Sequence, residues 1–134
     1  MSDKQVIIDG ITMMYGTGVK SSPEISNSTT QTFDGAVTQG LKNVSWTIEI
    51  DRVRYDSKVT HRKLSQTVEE MMETPKMVTI REIVRPVGEK PYVVKDNFFG
   101  CITDGNDYEI KPDDHTVENL KFKAQKRVRE WADI

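Results

Sequence analysis

His61 and His115 are the only histidines in the chain, and Cys101 is its only cysteine. A general base must take a proton from a nucleophile or water that a second group holds in place. His61 stands beside Arg62 and Lys63, at the predicted start of a helix, and His115 sits in an acidic loop. No serine or threonine occupies a nucleophile-elbow context, so both histidines read as surface residues. Cys101 follows Gly100 among Phe98, Phe99 and Ile102, surroundings that predict a buried, inert thiol. A single cysteine excludes an intrachain disulfide and a multi-thiolate zinc site. Gly16-Thr17-Gly18-Val19-Lys20-Ser21 has the glycines and lysine of a phosphate-binding loop. It lacks a glycine directly before Lys20, and no helical pattern follows it. Asp104-Gly105-Asn106-Asp107 has the carboxylates and glycine of a calcium loop without its ligand ladder or distal glutamate, and reads as a plain turn. The pairs Glu69-Glu70 and Asp113-Asp114 read as solvated charge. The expectation is no catalytic, cofactor or metal site, and no enzyme.

Charge narrows the field of partners. A net charge of −2 provides no global basic field to hold nucleic acid. Met1-Ser2-Asp3-Lys4 lacks the apolar run of a signal peptide, and no stretch approaches the roughly 20 apolar residues of a membrane span. The expected setting is therefore a cytoplasmic kind of environment, or release from one, without membrane. Towards the C-terminus, the acidic residues Asp104, Asp107, Glu109, Asp113, Asp114 and Glu118 precede the basic Lys121, Lys123, Lys126, Arg127 and Arg129. Two such blocks can pair within one subunit or between copies, which makes Asp113, Asp114, Arg127 and Arg129 candidate inter-subunit residues. Trp131 follows on a tail with no evident core strand; it is a candidate inter-subunit anchor, because large aromatics dominate the centres of interfaces, and the alternative is that it folds back on its own domain.

The elements that position these residues are mostly strands. Asp9-Gly10 between Val6-Ile7-Ile8 and Ile11-Thr12-Met13-Met14 is a strong hairpin signal. Residues 16–43 are rich in Gly, Ser, Thr, Gln and Asn and read as a long polar loop or arm. In Val44–Asp51 the apolar Val44, Trp46, Ile48 and Ile50 alternate with Ser45, Thr47, Glu49 and Asp51, so one face is buried and the other polar. Val53 and Tyr55 then fall out of phase, which predicts a β-bulge near Asp51-Arg52. One helix is expected from about Val59 to Glu73, with Leu64, Val68 and Met71-Met72 on its apolar stripe and Thr67 with Glu70 as a capping pair. Pro75 ends it. Strands follow at Met77–Val84, at Tyr92–Val94, at Phe98–Ile102 with Lys95-Asp96-Asn97 as a break, and at Val117–Gln125, with 126–134 as a C-terminal tail. Strands, one helix and more strands over residues 1–134 predict a single, mainly β domain: a β-sandwich or open barrel with one flanking α-helix.

This layout resembles the tail tube proteins of tailed bacteriophages, most closely the small tube proteins of contractile-tailed phages. The resemblance rests on the Asp9-Gly10 hairpin, the long polar arm, the Val44–Tyr55 strand, the helix around Leu64–Met72 and the Met77–Val84 strand. The Phe99-Gly100-Cys101-Ile102 turn and the final Val117-Glu118-Asn119-Leu120-Lys121-Phe122 strand complete it, so it covers about Gln5 to Ala124. It implies hexameric rings of identical subunits whose inner strands join into one barrel and which stack into a hollow tube. DNA passes through the lumen without specific binding. It also implies residence in the virion tail after synthesis in the host cytoplasm, and contacts with tail sheath, tape measure, baseplate and terminator proteins. On this picture Glu49 and Asp51 point into the lumen and help form a negative wall. A monomeric binding module, or a connector or terminator protein of the same fold class, is the alternative expectation.

Overall fold

The computed structural model describes residues 4–27, 30–32, 35–37, 42–56, 58–103 and 107–134. Asp9 and Gly10 join β1 (Lys4–Ile8) to β2 (Ile11–Gly16) with φ of 53° and 81°. Positive φ at both central positions is what a type I′ turn requires, and Asp-Gly adopts it with little strain.

Past β2 the chain runs through Thr17-Gly18 into β3 (Val19–Asn27). Both strands lie along one edge of β6 (Lys42–Tyr55) in a constant register: Met14 opposite Tyr55, Val19 opposite Ile50, Asn27 opposite Lys42. Gly18 makes the close approach possible, since a Cβ there would sit 2.8 Å from the Arg52 carbonyl oxygen. Between β3 and β6, β4 (Thr30–Thr32) and β5 (Gly35–Val37) pair as a separate two-stranded sheet. The expected loop or arm over 16–43 is therefore corrected to strand for much of its length. Residues 28–29, 33–34 and 38–41 of it lie outside the described residues. A run of Ser, Thr, Pro and Glu carries no apolar period, and its strand is stabilised by ladder bonds to β6 that the run itself does not encode.

Six strands close on themselves. β10 (Thr116–Ala124) pairs with the other edge of β6, from Thr116–Arg54 to Ala124–Trp46. β7 (Lys76–Val84) pairs with β1 and with β8 (Tyr92–Thr103), and β8 meets β10 at Thr103–Phe122 and Ile102–Lys123. The circuit β1-β2-β6-β10-β8-β7 is a closed six-stranded barrel. The mainly β class and the single helix stand as expected, and the barrel is closed where a sandwich or open barrel was expected. The short β9 (Glu109–Lys111) lies beside β10. β11 (Lys126–Asp133) continues β10 and runs along β8 from Lys126–Phe99 to Asp133–Tyr92. So 126–134 is not a free tail, and β8 is one strand with no break at Lys95–Asn97.

The β-bulge expected at Asp51-Arg52 is not formed: β6 has no extra residue against β10, and its phase slip is matched on the next strand. Ile50 and Val53 are both buried, and so are Leu120 and Val117 opposite them, while Asp51 and Asn119 form no pair and Asn119 has φ 57°. Both strands change phase at one level, so the register survives.

The helix α1 (His61–Glu70) starts at Thr60, whose hydroxyl accepts from the Lys63 amide at 3.1 Å. Such a cap contributes about 1 kcal/mol. Thr67 and Glu70 form no cap; the Thr67 hydroxyl donates to the Lys63 carbonyl. Leu64, Val68 and Met71 recur at i, i+4 and i+7 and are fully buried in the core with Val59, Tyr55, Val6, Ile8, Phe98 and Phe122. Met72, expected on the same stripe, is 37 % exposed. A six-stranded barrel leaves room inside only for side chains, and α1 adds its apolar stripe to that core.

Candidate assembly surface

Among the described residues, two long strands have a partner on one side only: β3, which pairs with β6, and β11, which pairs with β8. Each presents a row of unpaired backbone groups, the usual template for pairing with another chain. Pro23 lies within β3, and proline, lacking an N–H, is tolerated at a sheet edge and not in its middle.

An ion pair adds to the ladder that holds β11 on β8. On β8, Tyr92, Val94, Asp96 and Phe98 share a face with Arg129 and Trp131 of β11. Asp96 is 7 % exposed, and its two carboxylate oxygens accept from Arg129 Nε at 2.6 Å and Nη2 at 2.9 Å. The hydrogen bond to Asp96 holds the Arg129 guanidinium above its ordinary pKa, against the opposing effect of burial. Arg127 places its guanidinium carbon 4.0 Å from the centre of the Trp46 ring, and Trp46 meets Phe98 edge-on at 6.0 Å. Trp131 lies 5.9 Å from the Tyr92 ring and remains 62 % exposed. Trp131 lines two clefts, of about 360 Å³ and 380 Å³, the first lined also by Lys4, Glu82 and Arg129 and the second by Lys90, Pro91 and Asp133.

The remaining sequence candidates are placed separately. Asp113 and Asp114 are exposed in the turn before β10 and, among the described residues, bridge to neither Arg127 nor Arg129. The acidic and basic blocks therefore do not pair within the described chain. Glu49 and Asp51 lie on the outward face of β6, with Asp51 exposed. Lys20 of β3 and Lys121 of β10 stand directly opposite Glu49, and Arg52 and Arg54 continue the same outward face. This face is mixed in charge, which corrects the expectation of an acidic one: a strand read alone does not reveal its cross-strand neighbours.

The chemistry-bearing residues are occupied structurally. His61 Nε2 lies 3.0 Å from the Ile110 carbonyl oxygen, and exposed His115 stacks at 4.9 Å on Tyr55. Burial, with a smaller contribution from Asp113, raises the Tyr55 hydroxyl. Burial pushes the Cys101 thiol up to about 12, outweighing a backbone hydrogen bond at Val78. Burial, then the 2.6 Å hydrogen bond to Glu69, pushes Tyr108 up to about 12. Among the described residues no group of three or more His, Cys, Asp or Glu side chains converges as metal ligands would, and no helix is long and apolar enough to cross a membrane. The turn expected at Asp104-Gly105-Asn106 lies outside the described residues.

Asp96 is the residue that sequence reading missed. It falls in phase with Tyr92, Val94 and Phe98, so its carboxylate was bound to meet the core and to need a cation there. Reading Lys95-Asp96-Asn97 as a break concealed that. No protein-family model, no curated protein and no solved structure matches the chain.

Proposed function

We propose that this chain is a structural subunit that assembles with copies of itself into rings, six to a ring as in the phage tubes it resembles, stacked into a hollow tail tube for DNA ejection. The observation that supports this reading is that, among the described residues, the two long strands β3 and β11 are free along one side, next to a closed barrel. One edge of one copy joining the other edge of the next is a heterologous contact, and such contacts close into rings when the rotation allows. Closure removes the edges that would otherwise invite aggregation. Trp131 supports the same reading, because an aromatic left 62 % exposed beside an open edge has apolar surface to bury in a neighbour.

In this reading the outward face around Glu49 and Asp51 borders the channel. Around Glu49 the flanking Lys20 and Lys121 balance the carboxylates, and Arg52 and Arg54 follow farther along β6; along the balanced stretch a duplex slides without the counterion release that makes basic surfaces grip. Sheath, tape measure, baseplate and terminator proteins are the partners such a tube meets. Size-exclusion chromatography over a wide concentration range, with negative-stain imaging, tests the proposal. Rings or tubes with a central hole are the expected result. A monodisperse monomer at every concentration sinks it and favours a binding module or connector.

A further inference from the structure

On the barrel half of β6, beyond the phase change at Asp51-Arg52, two arginines flank an open pocket of about 690 Å³. Arg52 and Arg54 both point outward, two residues apart on one strand, which separates their backbones by roughly 7 Å. Tyr15 on β2 and Thr116 on β10 stand directly opposite Arg54 on its two sides. Thr116 is 8 % exposed, and its hydroxyl is buried without a hydrogen-bond partner. A buried hydroxyl left unpaired costs on the order of 1–3 kcal/mol. The arginines are not fully engaged either. Among the described residues Arg54 makes no ion pair, and Arg52 meets Glu118 only at 3.8 Å, while Glu118 also faces Lys111 at 3.4 Å. Asp114 is the carboxylate on the rim.

From this arrangement we infer that the pocket binds the phosphate group of a small phosphate ester. Two guanidinium forks offer more donors than the two oxygens of a carboxylate accept, whereas a phosphate monoester offers three terminal oxygens in three directions; the Thr116 hydroxyl, which has no accessible surface, lies behind the pocket wall and does not reach the ligand. Asp114 repels a bare anion and accepts hydrogen bonds from hydroxyl groups, so it favours an ester that carries hydroxyls over an inorganic ion. This site is independent of ring assembly, since all its residues belong to one copy.

Isothermal titration calorimetry of the full chain at low salt, with ribose 5-phosphate, inorganic phosphate and succinate as probes, tests the inference. Ribose 5-phosphate is expected to bind saturably and more tightly than phosphate, and succinate not to saturate. Arg54→Gln should weaken ribose 5-phosphate about tenfold or more, as the loss of a charge-assisted hydrogen bond predicts. Thr116→Val, which keeps shape and removes a hydroxyl that has no accessible surface, should leave binding at the parent's level without loss of thermal stability. Glu118→Gln, which frees Arg52, should tighten it. Equal heats from succinate and ribose 5-phosphate, or unchanged binding in Arg54→Gln, would overturn the proposal and leave only diffuse surface charge. Binding there would also exclude Arg52 and Arg54 from a DNA channel, because a phosphate-gripping pocket would brake the duplex; ring formation would be untouched.

Discussion

Breaking the Asp96–Arg129 pair should cost different amounts from its two sides. Asp96 has a side chain only 10 % accessible, against 36 % for Arg129. Removing the arginine leaves a carboxylate that is only 10 % accessible without its partner, at the wall of the cleft beside Trp131. Removing the aspartate leaves a guanidinium that can swing outward. The loss of one partner of a buried pair costs about 3–5 kcal/mol, and solvent reaching Arg129 lowers that range here. Arg129→Met should therefore destabilise by about 3 kcal/mol, and Asp96→Asn, which keeps shape and an acceptor, by about 1 kcal/mol. At roughly 4 °C per kcal/mol for a chain of this length, the two variants should melt about 12 °C and about 4 °C below the parent. The double variant Asp96→Leu with Arg129→Met should recover most of the loss, because an apolar pair of similar volume avoids desolvating two charges. Thermal and urea unfolding give the energies. Hydrogen exchange gives the place: protection in Arg129→Met should fall first along Lys126–Asp133 and Tyr92–Phe99, which face each other in the ladder. Equal losses from the two sides, or a double variant no better than the worse single one, would refute the asymmetry and the claim that burial sets it.

Four further outcomes follow from the same geometry. Val68→Asp puts a charge at a position with 0 % exposure and should cost about 3 kcal/mol or more, while Met72→Asp, at 37 % exposure, should change stability by about 0.5 kcal/mol at most; urea unfolding of both separates the buried stripe from its neighbour. Trp131→Ala should leave the melting temperature of the free subunit within about 4 °C of the parent and shift assembly to higher concentration, read by light scattering against concentration. Glu49→Lys sets three lysines side by side across β3, β6 and β10 and should destabilise by about 1 kcal/mol, less at high salt, measured by melting at two ionic strengths. Cys101, raised from 9.0 to about 12, and Tyr108, raised from 10.0 to about 12, favour the folded state while neutral. Their contribution is full below the unfolded pKa values and is lost as pH climbs from about 9 to about 12, so unfolding free energy followed over that window should fall, and Cys101→Ala should flatten the fall.

What the sequence disclosed and what it concealed divide along one physical line. Signals carried within a single segment were legible: the positive φ that Asp9-Gly10 supplies, the period of two in Val44–Ile50, the phase slip at Asp51-Arg52, and the i, i+4, i+7 run of Leu64, Val68 and Met71. Signals carried between segments were not. Val19–Asn27 has no apolar alternation, and its strand exists because the backbone of β6 offers a ladder for it. Asp96 looked like an interruption because its partner lies 33 residues away on a strand that itself looked like a tail. The negative charge of Glu49 is offset only when Lys20 and Lys121 are brought beside it, one from each flanking strand. Sheet closure has the same character: it depends on the short contact of Ile102 and Thr103 with Lys123 and Phe122, and no property of either segment alone separates that from two sheets facing each other. The free edges that support the assembly reading therefore became visible only with the pairing in hand. An edge is defined by which strands are absent beside it, and a sequence read segment by segment carries no record of that.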